Sequence, residues 1–75
     1  MIYIVMLEQE EYLGGGDTYV TWQAVKAYHS ESEARSAIAE LASKHPGAEI
    51  VERGSAVYED GEMTCTLYIQ CCPLG

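Results

Sequence analysis

The sequence predicts an α+β domain of order ββαββ: a four-stranded, mainly antiparallel sheet with one helix packed on one face. Three observations predict it. A helix start and a helix-period apolar stripe lie together at Ser30–Ala42, two glycine-bearing turns (Gly14–Gly16 and Glu59–Gly61) interrupt strand-like runs, and the last run alternates apolar and polar residues with period two. At 75 residues the chain makes one domain, residues 1–75, with a core small enough to be marginal.

Met1 to Leu13 reads as the first strand. Gly14, Gly15 and Gly16 supply the positive φ angles of a tight hairpin turn, and Thr18 to Tyr28 is rich in β-branched and aromatic residues, as a second strand should be. Ser30 followed by Glu33 forms a capping box. Ala34, Ala37, Ile38, Leu41 and Ala42 then follow the i, i+3, i+4, i+7, i+8 pattern of one helix face. The small residues of this stripe let the helix lie close to the sheet. Glu31 with Arg35 and Glu40 with Lys44 are acid-before-base pairs at i, i+4, and Pro46-Gly47 stops the helix.

Ala48 to Tyr58 reads as a third strand, kinked near Gly54, and Glu59-Asp60-Gly61 as the second turn. Two registers suit that turn: a two-residue loop with Tyr58 opposite Met63, or a three-residue loop with Val57 opposite Met63. The second is favoured because it puts Val57 and Val51 on one face with Met63 and Ile69; it also sets Arg53 against Leu67 and implies a bulge near Gly54. In the last strand Met63, Cys65, Leu67, Ile69 and Cys71 point one way, and Glu62, Thr64, Thr66, Tyr68, Gln70 and Cys72 the other.

A turn centred on Gly15 divides the first hairpin into two faces. One carries Tyr3, Val5, Leu7, Gln23, Val25 and Ala27; the other carries Ile4, Met6, Glu8, Glu10, Val20, Trp22, Ala24 and Lys26. Both are apolar near the hairpin base, and one helix covers only one of them. The face with Lys26, Glu8 and Glu10 is expected to be the open one, leaving Ile4, Met6, Val20 and Trp22 on uncovered sheet beside carboxylates. Trp and Tyr dominate protein interfaces, which makes Trp22, with Tyr12 nearby, the expected anchor.

Twelve acids face four basic residues, for a formal net charge of −8. The stretch Glu31 to Lys44 is nearly neutral at −1, so the remaining −7 falls on strands and turns. Such a surface repels nucleic acid and anionic membranes and attracts basic partners. The acids are expected at two opposite poles: Glu8, Glu10, Glu11 and Asp17 at the Gly14–Gly16 turn, and Glu59, Asp60 and Glu62 at the other end, joined by Glu31 and Glu33.

Catalytic and metal chemistry find little support. Cys65, Cys71 and Cys72 lack a C-x-x-C pair and a nearby histidine, and three cysteines without a leader suit a reducing, cytoplasmic setting rather than a disulfide framework. Cys65 and Cys71 read as small core residues and Cys72 as an exposed thiol. His29 and His45 stand about 24 Å apart along the helix and cannot share a site. Glu8 and Glu10 lie ~6.8 Å apart on one strand face, which any i, i+2 acids do, with no cleft implied. Gly14-Gly15-Gly16 lacks the GK[ST] continuation of a phosphate loop. The chain is expected to be non-catalytic, with no metal and no cofactor.

The segment Val25-Lys26-Ala27-Tyr28-His29-Ser30-Glu31-Ser32-Glu33-Ala34 looks like the strand-to-helix joint of small phage and bacterial domains. In size, acidity and ββαββ order the whole chain resembles phage-encoded inhibitors of the anti-CRISPR type. That resemblance implies a stoichiometric inhibitor, in the host cytoplasm, that occupies a basic, nucleic-acid-binding surface of a defence complex; it assigns no residue roles. The sequence-derived partner surface is Glu8, Glu10, Glu11, Tyr12, Asp17, Val20, Trp22, Glu59, Asp60 and Glu62. The alternative is an obligate homodimer, with a small-ligand-binding or structural role, whose seam is the open sheet face.

Overall fold

The computed structural model describes residues 1–51 and 54–73. Six elements follow one another: β1 (Ile2–Gly14), β2 (Asp17–Tyr28), α1 (Glu31–Ser43), β3 (Glu49–Ile50), β4 (Ala56–Asp60) and β5 (Met63–Cys72). The sheet has five strands in the order β2-β1-β5-β4-β3, every pairing antiparallel, with α1 on one face. The α+β class holds, with a single helix among the described residues. The expected third strand does not: Ala48–Tyr58 is two strands, β3 and β4, folded back on each other with Glu49 opposite Val57 and Ile50 opposite Ala56. Gly54 lies in the reversal at φ +75°, a left-handed conformation that only glycine adopts without strain, rather than in a bulged strand.

The helix forms for the reasons its sequence gives. Ser30 caps it, its hydroxyl accepting a hydrogen bond from the Glu33 amide at 3.1 Å. Arg35 pairs with Glu31 at 2.8 Å. Ala34, Ile38 and Ala42 are buried, with Ala37 and Leu41 packed beside them. They meet Val5, Ala56, Tyr58, Cys65 and Leu67 from the sheet, with Tyr3, Leu7, Tyr28, Met63 and Ile69 around them. The helix-facing set of β5 is therefore the one its alternation predicts. Cys71, at the end of that set, is exposed, and Cys72 is half-buried, the reverse of the expected order.

The second hairpin takes neither expected register. Asp60 faces Met63, Glu59 faces Thr64 and Tyr58 faces Cys65, so the loop is the pair Gly61-Glu62. Tyr58 and Ala56 thus face the helix, and Val57 faces away. The cause is tertiary: the Tyr58 ring stacks on His45 just past the helix, centroids 3.8 Å apart and planes 12° from parallel, which sheathes a phenol ring that Val57 could not replace. Ala56, not Arg53, stands opposite Leu67; Arg53 lies outside the described residues, and Val51 is exposed.

The first hairpin keeps the expected register from Met6–Ala24 to Tyr12–Thr18, with one-residue shifts at Val25 on β2 and Leu13 on β1. Below Val25 the bulge turns Lys26 toward the helix side and Ala27 toward the open side, correcting their expected faces, and sets Tyr28 on the helix side. The bulge lets Tyr28 join the core, and the Lys26 ammonium sits 5.4 Å from the Tyr28 ring centre.

Candidate functional site: the open face and the acidic pole

The helix covers one side of the sheet, and the register of the strands fixes what the other side displays. Reading across from the β2 edge, one row is Val20, Glu10, Thr64 and Glu59. The next is Trp22, Glu8, Thr66, Val57 and Glu49. Below them come Ala24, Met6 and Tyr68, then Ala27, Ile4 and Gln70. The open face is thus graded: carboxylates and threonines toward the hairpin turns, apolar residues toward the hairpin base. Ile4, Met6, Val20 and Trp22 lie on it as expected.

Trp22 is 59% exposed. Its indole N–H donates to the Glu8 carboxylate at 2.8 Å, a cross-strand bond that holds the ring beside a negative charge. Neighbouring strands lie about 4.8 Å apart, so Glu10 and Glu59 flank Thr64 with roughly 10 Å between their backbones.

The acids share one pole, not two. Because the chain reverses between β3 and β4, β4 runs toward the same end as β1, and the Gly61-Glu62 turn lies beside the end of β1, where Glu11 faces Met63. Glu10, Glu11 and Asp17 from the first hairpin therefore gather with Glu59, Asp60 and Glu62 from the second, and Glu8 lies one pleat further in. The reversal carries three carboxylates to the end opposite the one the sequence predicts. Glu31 and Glu33, at the helix start, lie at the other end and bridge nothing; pairing with Arg35 neutralises Glu31. Lys44 at the helix C-cap is the base that α1 brings toward the acidic pole.

Within this pole the residues divide by face. Glu8, Glu10, Tyr12, Val20, Trp22 and Glu59 point to the open side; Glu11 and Asp60 point to the helix side; Asp17 and Glu62 lie at the turns. The tip of the first hairpin runs past the end of β5, leaving Tyr12 63% exposed. Between that tip and the second turn lies a groove of about 490 Å³ lined by Tyr12, Gly14, Glu59, Gly61, Glu62, Met63 and Thr64. Two carboxylates and a phenol ring in one groove suit the aliphatic stem and charged head of a lysine or arginine. Thr64, Thr66 and Glu49 join the surface without having been among the sequence candidates. The alternation of β5 placed both threonines on this face, but only the strand order shows that they lie between the acids.

The described residues offer no group of three or more His, Cys, Asp or Glu arranged to hold a metal ion, and no helix long and apolar enough to cross a membrane. The clearest displaced titration belongs to Tyr58, whose phenol is raised above its ordinary value, first by burial and then by the neighbouring Cys65 thiol; it belongs to the core, not to this surface. No protein-family model, curated protein or solved structure matches the chain.

Proposed function

We propose that this chain is a non-catalytic binding protein whose acidic pole and adjoining open face dock onto a basic protein surface, of the kind that otherwise holds nucleic acid. The observation that carries this reading is the convergence of acids from two separate hairpins at one end of the sheet, with Glu8, Glu10 and Glu59 on the side where Trp22 is exposed. Charge at the pole steers a Lys/Arg-rich partner into contact, and Trp22, fixed by Glu8, supplies the desolvated anchor. Occupying such a surface excludes its nucleic acid, which makes the protein an inhibitor, the role its likeness to anti-CRISPR proteins implies.

A homodimer sealed through the open face is the weaker reading. Stacking two copies face to face buries Glu8, Glu10 and Glu59 where the described residues of the open face offer no Lys or Arg to pair with them, and buried carboxylates without such partners cost several kcal/mol each.

The test is calorimetric titration with an arginine-rich peptide at low and high salt. Binding that weakens with salt, is lost in Glu10→Lys/Glu59→Lys and is kept in Glu33→Lys/Glu40→Lys supports the reading. Equal losses in both variants reduce the effect to net charge and overturn it.

A further inference from the structure

The two edges of the sheet are built differently. The β3 edge is two residues long and carries Glu49. The β2 edge is twelve residues long, Asp17–Tyr28, with no proline, and no strand among the described residues pairs with its outer side. Alternate N–H and C=O groups along it therefore point outward as a pairing template. The first edge is short and charged, as protected edges are; the second is long and rich in Thr, Tyr, Val and Trp.

Charge distinguishes β2 further. In a chain of net charge −8, β2 holds one acid, Asp17, and one base, Lys26, near its opposite ends. A strand with an acid at one end and a base at the other complements an antiparallel copy of itself. It is also the strand along which two such acidic molecules approach with least repulsion.

We propose that two copies of this chain join edge to edge along β2, antiparallel about a twofold axis at Trp22, merging their sheets into one. The regular ladder spans Val20–Ala24, an ordinary length for a paired strand. Trp22 meets Trp22 of the second copy on the open side, Val20 meets Ala24, and on the helix side Thr21 meets Gln23. The bulge at Val25 ends the regular ladder and leaves Lys26 beside Tyr19 of the other copy, one diagonal step from Asp17. The strands being antiparallel, the two acidic poles point to opposite ends of the joined sheet and both stay free. The inference rests on the β2 edge and its charges and not on the acidic pole, although Trp22 belongs to both surfaces.

Sedimentation equilibrium of the wild type, from micromolar to millimolar concentration, tests it with two variants. Thr21→Lys/Gln23→Lys and Thr21→Glu/Gln23→Glu each set like charges across the axis, on the side away from the open face. The expected results are a wild-type dimer that persists in high salt, two monomeric variants with unchanged circular dichroism, and a heterodimer on mixing them. A wild type that stays monomeric, or a folded like-charge variant that still dimerises, overturns the proposal. Amide exchange on the wild type gives a second reading that needs no variant. Protection of Val20–Ala24 that rises with protein concentration supports the seam; protection independent of concentration contradicts it.

Discussion

The indole N–H of Trp22 reaches the carboxylate of Glu8 at 2.8 Å across the β1–β2 ladder, joining the exposed aromatic of the open face to its negative charge. Trp22 is the single tryptophan, so its fluorescence reports this environment alone. A cationic quencher such as caesium concentrates near Glu8 and Glu10, and iodide is repelled. Caesium is expected to quench Trp22 more efficiently than iodide, relative to free tryptophan amide in the same buffer. Glu8→Gln/Glu10→Gln should bring the two quenchers close to parity, and added salt should do the same more gradually.

Ile38 is fully buried where the helix meets the sheet. Ile38→Ala is expected to cost about 2–5 kcal/mol in chemical denaturation, a large share of what a small domain has. Glu40→Ala, on the exposed side of the same helix, should stay within about 0.5 kcal/mol. Comparable losses in the two would contradict the assignment of the helix face.

Gly54 and Gly61 both have positive φ, +75° and +65°. An alanine at either is strained by about 1–2 kcal/mol. A Cβ at Gly54 would also lie 3.0 Å from the Arg35 Cγ, whereas at Gly61 it meets nothing within 4 Å. Gly54→Ala should therefore be the more destabilising of the two in urea melts. Adding Arg35→Ala should bring its cost toward that of Gly61→Ala, apart from the small loss of the exposed Glu31–Arg35 pair.

Tyr58 makes stability fall at alkaline pH. Its folded-state pKa is raised above 10.0, chiefly by burial, so its contribution is fully present below that value and is lost as pH rises through the folded pKa. Tyr58→Phe keeps the ring that stacks on His45 and removes the titration. Its melting temperature should decline less steeply than the wild type's above pH 10.0; equal slopes would place the alkaline loss elsewhere.

The parts of the fold legible in the sequence are those written in local pattern. Ser30 and the Ala34–Ala42 stripe locate the helix, the alternation of β5 sorts its two faces, and counting apolar faces against one helix identifies the open side. The reversal between β3 and β4 was not legible, because nothing in Ala48–Tyr58 marks a turn except Gly54, and one glycine serves a kink as well as a reversal. That single feature misplaced Glu59, Asp60 and Glu62 by the length of the sheet. The burial of Tyr58 rests on His45, a contact between segments no local window spans. The bulge at Val25 is equally hidden, since Val25-Lys26-Ala27-Tyr28 alternates acceptably in either register. The sequence thus shows which residue types the surface holds, while their gathering into one surface follows from strand order.

The most direct measurement is a titration of the isotopically labelled protein with an arginine-rich peptide at low salt, followed by amide and side-chain NMR shifts. Shifts are expected to concentrate on Glu10, Tyr12, Trp22, Glu59, Glu62 and Thr64 and to fade as salt is raised, with Glu31 and Glu33 at the far end unmoved. Shifts that follow Glu31 and Glu33 as strongly as Glu10 and Glu59, or that spare the open face altogether, would contradict the proposed docking.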